Sequence, residues 1–482
     1  MQMFIIKAVP HPFSRRYGAR GAPAAKPKQV RSILCFCVLF MALAVKSDYR
    51  VGGVSLLFGF ANALLLLLLA AACLDFVPVL RRRLSPAAWW AEERPLFCTH
   101  GAAVRQRYGT AAFLLGLMVY EFIVVFNNSM ARENWPWLQT RVSPVLDWVM
   151  YLCFGCKILL GTRYSGRSLL CAGALYFVAR WVYFNGQNIW WLGLCVALLA
   201  AKDVPLRRCM KALLACGLPT LALVELLHFA GVIAPDAASE RDGSFRLMFG
   251  YGHPNTFGGV VFGLVLAWVL LRRARLTWAE LAGVAAVGAF LMIGPKSRSA
   301  ALCSFLLVAL LAAAKLRTRR GSRTLAAGCA ALVPLLAAVS YSLPLFVVKI
   351  GPWANDIGPA WLKKLDDLLT CRISLAWAAY RVFPIKIAGQ MLPDWPALDN
   401  IFVYLLYLTG PVMVVLVCAL MMAALYGYAR RGQWQAVACL ITMLAYGYME
   451  SQVTHLTSDP AVLLLCGAVY ALPTARWMFE LD

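Results

Sequence analysis

The sequence predicts an all-α, polytopic integral membrane protein with about 14 transmembrane helices (range about 12–14) and one long exterior loop. Three observations predict this class: 62% of the 482 residues are hydrophobic, only 14% are charged, and the mean hydropathy is +0.70. Soluble globular chains carry about 45–50% apolar and about 25% charged residues. The composition therefore excludes a soluble enzyme, a disordered protein and a coiled coil.

Long apolar runs set the positions of the predicted helices, because a spanning helix needs about 20 mostly apolar residues. Such runs lie near 33–45, 51–74, 111–127, 142–160, 168–184, 188–201, 212–233, 256–271, 278–294, 300–314, 324–343, 401–428, 436–450 and 461–475. The runs 33–45 and 188–201 are short, and the lower helix counts follow if they do not span.

The charge balance predicts the orientation of the chain. There are 46 Lys and Arg against 22 Asp and Glu, a formal net charge of +24. In a soluble chain this excess would suggest nucleic acid, but in a membrane chain basic residues collect in cytoplasmic loops. With the N-terminus inside, 30 of the 46 basic residues fall in cytoplasmic segments. We therefore expect both termini in the cytoplasm of a bacterial inner or plasma membrane, the lipid bilayer as a partner, and no nucleic acid.

The same reading divides the chain into four parts. Residues 1–32 form a basic cytoplasmic tail, 33–343 hold transmembrane helices 1 to 11, and 344–400 form the large exterior loop. Residues 401–482 hold helices 12 to 14 and a short cytoplasmic C-terminus. The exterior loop is rich in aromatic residues, which argues against disorder, and residues 361–383 are expected to form helices along the membrane face.

No motif predicts a metal or a cofactor. The 16 cysteines lie almost entirely in apolar runs, where Cys behaves as a small hydrophobic residue. The chain contains no zinc-ligand spacing, Walker loop, dinucleotide fingerprint or Gly-x-Ser-x-Gly elbow. We therefore expect neither.

Arg246 and the run Gly250-Tyr-Gly-His253-Pro-Asn255-Thr-Phe-Gly258 form the first polar segment, which enters a span from the predicted exterior. Its glycines permit tight turns, and Asn255 and Thr256 suit the N-terminus of a helix. A helix N-terminus with polar neighbours is a natural site for an anion. A simple loop-to-helix cap would explain the other residues but not His253.

The exterior turn Lys296-Ser297-Arg298-Ser299 forms the second polar segment, between two apolar helices. Two cations and two hydroxyls in four residues suit phosphate recognition, with Arg298 favoured over Lys296. Snorkelling of the long side chains to the interface is the alternative.

The third and fourth polar segments also lie on the predicted exterior. The third is the long loop, which carries Arg372 at the start of an apolar stretch and ends with Asp399-Asn400 before a span. The last two are candidate caps or sugar ligands. The fourth is the last exterior turn, with Glu450 and His455 among several hydroxyls.

The chemistry that fits these segments is glycosyl transfer from a polyprenyl-diphosphate donor. Arginines at an exterior membrane face suit a lipid-linked diphosphate and would stabilise it as a leaving group. A histidine or carboxylate could deprotonate a sugar hydroxyl as a general base.

In two of these segments, the sequence resembles the bacterial O-antigen polymerase/ligase family. Gly250-Tyr-Gly-His253-Pro-Asn255-Thr-Phe-Gly258 is similar to the family's signature, and Ser297-Arg298 to its Ser-Arg turn. Arg372, Gly389, Asp399-Asn400 and Gly410 follow the order of the Wzy-type polysaccharide polymerase branch. The resemblance covers roughly residues 240–460. Here Thr370-Cys371 stands where Ser-Gly commonly precedes the Arg.

The resemblance implies a GT-C-like, metal-independent enzyme of the cell envelope. It would polymerise oligosaccharide repeat units on undecaprenyl diphosphate in polysaccharide biosynthesis, beside a flippase and a chain-length regulator. Arg298 and Arg372 would bind the diphosphate, and His253 and Asn255 would shape the donor or acceptor site. From their residue types and positions, and not from the resemblance, we also expect Arg246, Lys296 and Ser297 to bind the diphosphate or substrate. The catalytic base stays open between His253, His455 and Glu450.

Two other functions remain open on the sequence. An O-antigen ligase would transfer a finished lipid-linked glycan to another acceptor with the same phosphate-binding residues. A flippase for lipid-linked oligosaccharides belongs to a different class, and flippases usually show two similar halves and short loops. This chain shows no internal repeat and one long exterior loop.

Overall fold

The structure of the protein is a computed structural model. The structure describes residues 102–162, 166–186, 189–233, 239–241, 244–316, 322–347, 358–392, 398–451 and 455–470. The predicted tail 1–32 and the predicted spans 33–45 and 51–74 lie outside the described residues. From Val104 onward, the described residues belong to one compact unit.

The regular secondary structure of the described residues is helical, apart from one short hairpin. Its α-helices are α1 (Ala102–Asn127), α2 (Ala131–Asn134), α3 (Ser143–Leu160), α4 (Gly166–Gly186), α5 (Ile189–Ala200), α6 (Leu206–Phe229), α7 (Pro254–Arg272), α8 (Trp278–Ile293), α9 (Arg298–Leu316), α10 (Arg323–Ser342), α11 (Ala360–Leu368), α12 (Arg372–Val382), α13 (Ile401–Arg430), α14 (Trp434–Met449) and α15 (Cys466–Val469).

Shorter elements complete the described chain. A π-helical turn spans Leu138–Val142, and 3-10 turns span Arg273–Arg275, Leu343–Phe346 and Pro460–Leu465. Strands β1 (Ser239–Arg241) and β2 (Ser244–Arg246) pair antiparallel, with Ser239 opposite Arg246.

The prediction of an all-α membrane protein is confirmed. Six described helical stretches are long and apolar enough to cross a membrane: Arg107–Asn127, Leu206–Phe229, Pro254–Arg272, Arg298–Leu316, Arg323–Phe346 and Ile401–Arg430. The predicted exterior loop contains helices α11 and α12 where residues 361–383 are expected to be helical. The total number of spans stays a prediction.

The predicted last spanning helix over 461–475 is not a regular α-helix in its described part, and whether it spans stays a prediction. Pro460–Leu465 is a 3-10 turn and Cys466–Val469 is one short α-helical turn, and both are buried almost completely. Asp459 Oδ1 accepts a hydrogen bond from Ala461 N at 3.1 Å and thereby caps the 3-10 turn. Non-helical backbone at membrane depth is tolerated where other protein surrounds it. Residues 455–470 are named the irregular segment below.

The irregular segment packs directly on the middle of α7. A Cβ on Gly263 would lie 1.7 Å from Thr457 O, so only a glycine permits this approach. Thr457 Oγ1 also donates to Glu121 Oε2 of α1 at 2.8 Å, with both side chains buried. The segment therefore contacts two helices at once.

Residues Gly389 and Gln390 of the predicted exterior loop pack on a break in α13. Gly410 has φ 79° and precedes Pro411, which interrupts the helical hydrogen bonds. Gln390 N donates to Tyr407 O at 3.1 Å, and a Cβ on Gly389 would lie 2.0 Å from Leu408 O. Gly389 and Gly410, both singled out by the sequence resemblance, thus meet in the structure.

Candidate functional site

All four predicted polar segments meet at one carboxylate, Glu450, which directly follows α14. Its Oε1 accepts hydrogen bonds from Asn255 Nδ2 at 2.8 Å, Ser299 Oγ at 2.8 Å and Arg372 Nη2 at 2.9 Å. Arg246 Nη2 donates to Asn255 Oδ1 at 3.1 Å. These five residues are named the Glu450 cluster.

The start of α7 holds Asn255 in place. His253 is the N-cap of α7, and its Nδ1 accepts a hydrogen bond from Asn255 N at 3.1 Å. Pro254 occupies the first turn, where a missing N–H costs nothing. This explains His253 as a cap and leaves its ring exposed beside the cluster.

The turn before α9 brings Ser299 to Glu450. Gly258 of α7 lies against this turn, since a Cβ there would lie 2.2 Å from Ser297 Oγ. Arg246 supports the turn by donating to the carbonyls of Pro295 and Lys296, both at 3.4 Å. Ser297 and Ser299 are buried, whereas Lys296 is half-buried.

Arg298, the favoured phosphate ligand of this turn, is the first residue of α9 and is exposed. It lies between the buried Ser297 and Ser299, at the rim of the cluster.

Arg372 is the most extensively bonded cation of the cluster. It begins α12, and its guanidinium donates to Leu369 O at 2.7 Å and to Met449 O and Thr370 Oγ1, besides Glu450. Its side chain is only 7% exposed. A buried arginine with this many fixed bonds has a defined direction, which a surface cation lacks.

Asp366 positions the start of α12, and sequence analysis gave it no role. Its Oδ1 accepts from Ile373 N at 2.7 Å and Ser374 N at 3.2 Å, and the residue is fully buried. The cap comes from the preceding helix, because the chain turns back at Thr370 and Cys371, which have φ 56° and 64°. An Asp six residues before an Arg is not a recognised capping pattern, so only the fold reveals it.

Asp399 and Asn400 have different surroundings. Asp399 Oδ2 lies 3.6 Å from Arg372 Nη2 and its side chain is 37% exposed, so it faces the cluster. Asn400 is the N-cap of α13, accepting from Phe402 N at 3.0 Å and donating to Ser340 Oγ at 3.1 Å. Of the two residues, the exposed Asp399 is therefore the better candidate for a sugar ligand.

A small cavity lies beside Arg372. Its polar lining is Arg372, Asn400, Ser340 and Tyr448, and the rest of the lining is apolar. The cavity therefore gives Arg372 a neighbouring surface of mixed polarity.

His455 belongs to the irregular segment, where its carbonyl accepts from Asp459 N at 3.0 Å. Thr457 of that segment faces Gly263, about 12 Å along α7 from Asn255 at 1.5 Å per residue.

The electrostatics of the site favour an anion. Helices α7, α9 and α12 all begin at the cluster, and the N-terminus of a helix carries partial positive charge. Burial raises the pKa of Glu450 to about 7, although the neighbouring Arg372 acts in the opposite direction. Three helix N-termini and two arginines thus surround one carboxylate.

Within the described ranges, no three His, Cys, Asp or Glu side chains lie close enough to hold a metal ion. In comparisons with protein-family models, curated proteins and solved structures, nothing matches this chain.

Proposed function

We propose that the protein is a membrane glycosyltransferase that polymerises undecaprenyl-diphosphate-linked oligosaccharide repeat units into a surface polysaccharide. The observation that carries the proposal is the convergence on Glu450 of Arg246, Asn255, Ser299 and Arg372. With Glu450, these residues come from four segments that are far apart in the chain, and a shared ligand is a reason for side chains from distant segments to meet at a helix end.

The proposal places the enzyme in the bacterial cytoplasmic membrane, with about 14 spans and both termini in the cytoplasm, as the charge pattern predicts. The Glu450 cluster then faces outward, away from nucleotide sugars. A donor that carries its own diphosphate leaving group suits that location. A flippase and a chain-length regulator would act before and beside the enzyme.

Arg372 and Arg298 have complementary roles in this proposal. Arg372 is fixed by its bonds to backbone carbonyls, so it can hold a phosphate oxygen in one position. Arg298 is exposed at the rim, where it would meet a second phosphate group as the donor enters. Cations aimed at a departing diphosphate stabilise the charge that develops during transfer.

Reconstitution of the purified full chain in liposomes tests the proposal. The substrate is a synthetic polyprenyl-diphosphate-linked repeat unit, without any nucleotide, and the products are separated by length. We expect glycans of two or more repeat units that remain linked to the lipid. Movement of the substrate across the bilayer without longer products would indicate a flippase and contradict the proposal.

A second acceptor distinguishes the polymerase from a ligase. A lipid A core or a similar glycan acceptor is added to the same liposomes. Transfer to that acceptor, with no lipid-linked chain longer than the substrate, would indicate a ligase. Deleting the gene in the cell gives a parallel readout, because loss of a polymerase leaves single repeat units on the surface.

A further inference from the structure

The two oxygens of Glu450 have different environments. Oε1 accepts all three of the hydrogen bonds that reach this side chain, from Asn255, Ser299 and Arg372. Within the part of the chain that the structure describes, Oε2 accepts none. One oxygen therefore fixes the carboxylate in position, and the other keeps its lone pairs for a ligand.

The fixed position suits a proton acceptor. Three donors on Oε1 come from α7, α9 and α12, so the carboxylate cannot rotate without breaking bonds to three helices. A general base must lie within hydrogen-bond reach of the hydroxyl that it deprotonates. A carboxylate that is already held in that position lowers the entropic cost of reaching the transition state.

The other candidate bases are less suited. His253 already uses Nδ1 as the acceptor for Asn255 N, at 3.1 Å. His455 belongs to the irregular segment, whose Thr457 lies about 12 Å along α7 from Asn255. Asp399 is another carboxylate near Arg372, but it is 37% exposed and lies 3.6 Å from that guanidinium.

We infer that Glu450 is the general base of the transfer and accepts the proton of the acceptor sugar through Oε2. This inference rests on the proposed function. The acceptor hydroxyl oxygen bonds to the anomeric carbon of the donor, and the bond from that carbon to the diphosphate oxygen breaks. The electron pair of that bond leaves with the diphosphate, and the hydroxyl proton moves to Glu450.

The bound donor strengthens this base. The diphosphate brings negative charge next to Glu450, and like charge favours the protonated form of a carboxyl. Burial already brings the pKa of Glu450 to about 7, near the value that suits general-base catalysis at neutral pH. Arg372 contacts the carboxylate and, in the proposed function, the leaving group, so it links the two charges.

The test compares Glu450→Gln with Asp399→Asn, His253→Gln and His455→Gln in the liposome assay. Glu450→Gln keeps an oxygen that can accept the three hydrogen bonds. We expect it to lower kcat at least about 100-fold, the usual range for removing a general base, with donor binding within about threefold of wild type. Each of the other three variants should lose less kcat than Glu450→Gln, because none of them removes the proton acceptor.

The pH profile gives a readout that a purely structural role would not change. In the wild type, kcat/KM should fall below a pH near 7, and the residual activity of Glu450→Gln should lack this acidic limb. Formate added to Glu450→Ala should restore part of the rate. The assignment would be overturned if Glu450→Gln kept the wild-type kcat, or if the large loss of kcat occurred in Asp399→Asn instead.

The same assay separates this assignment from the function it depends on. If the wild-type chain forms no glycosidic bond from the lipid-linked unit, the proposed function is wrong and the assignment falls with it. If the wild type elongates the glycan and Glu450→Gln does too, only the assignment is wrong.

Discussion

The two ends of α7 satisfy their polar groups in different ways. At its C-terminal end, Arg272 Nε donates to Glu280 Oε1 at 2.6 Å, only eight residues away, and Thr277 and Glu280 form a capping box. At its N-terminal end, Asn255 donates to Glu450, which is 195 residues away. Ser299 and Arg372 reach the same oxygen across 151 and 78 residues.

This contrast separates polar groups that shape a turn from polar groups that form a site. A capping box needs only the residues of its own turn, and any helical protein can contain one. The Glu450 cluster needs four distant segments to be folded at once. Contacts within a single turn would be enough to stabilise the local structure there. We therefore interpret the N-terminal end of α7, with its charges brought together from distant segments, as functional.

The largest expected effect comes from Arg372→Ala. It removes the cation from a buried carboxylate, and breaking a buried pair in this way costs about 3–5 kcal/mol. We also expect the transfer rate to fall about 100-fold or more, as for loss of a fixed electrostatic donor. Rates are measured in liposomes and stability as Tm in detergent.

Arg381→Ala is the matched control for this variant. Arg381 lies on the same helix, is exposed, and has its guanidinium 5.2 Å from the ring of Trp377. It should leave the transfer rate within about twofold, because surface charges away from a site have small effects. Equal losses in the two variants would contradict the distinction between the Glu450 cluster and the remaining cations.

Glu450 should make the stability of the fold depend on pH. Its pKa rises from 4.5 to about 7 on folding, which corresponds to about 3 kcal/mol at 1.36 kcal/mol per unit. Between these values the folded state binds more protons than the unfolded state, so stability falls as the pH rises from about 4.5 to 7 and is level above that.

Thermal unfolding of wild type and Glu450→Gln from pH 5 to 8 measures this dependence. We expect the Tm of the wild type to fall relative to that of Glu450→Gln as the pH rises. Parallel curves would show that the Glu450 carboxyl has the same pKa in the folded and in the unfolded chain, and would contradict this prediction.

Gly263→Ala should loosen the irregular segment. The new Cβ would lie 1.7 Å from the backbone oxygen of Thr457, so the segment must move, and overpacking of this kind costs about 1–3 kcal/mol. Gly283→Ala in α8 is the control, because nothing lies within 4 Å of its Cβ position. An equal Tm in both variants would contradict the close packing of the segment on α7.

The sequence predicted the helices well but not their partners. Apolar runs identified the long described helices, yet α6 begins at Leu206 rather than near 212. The search for apolar runs missed its first turns because they carry Arg207, Arg208 and Lys211. Long basic side chains at a helix end can extend to the membrane surface, so charge alone does not mark the end of the helix.

The irregular segment shows why an apolar run is not enough. Residues 461–475 have the composition of a span, but the described part of this run is a 3-10 turn and one helical turn. Its backbone conformation depends on Gly263 and Asp459, which act through tertiary packing and a local cap. Composition records hydrophobicity, not whether a helix fits the space available.

The residues of the site were predicted, but their connections were not. Arg372, Glu450, Asn255 and Arg246 were all identified from their residue types and positions. Arg246 and Asn255 are nine residues apart, but their meeting with Glu450 and Arg372 depends on contacts across 78 or more residues of chain, and no local pattern encodes these. The same limit hid Asp366, whose role depends on the chain reversing at Cys371.

The smallest expected effect is at Cys371, which the sequence resemblance and the structure both single out. Cys371 has φ 64°, a conformation that costs a side-chain-bearing residue about 1–2 kcal/mol. Cys371→Gly should therefore keep Arg372 in place and raise the Tm by a few degrees. The conformational entropy that glycine loses on folding offsets part of this gain. Cys371→Ala separates this effect from loss of the thiol, because alanine retains a Cβ and should give no gain. A lower Tm for Cys371→Gly than for Cys371→Ala would show that the left-handed turn does not set the position of Arg372. The comparison between local and long-range contacts at the N-terminal end of α7 would then need a different basis.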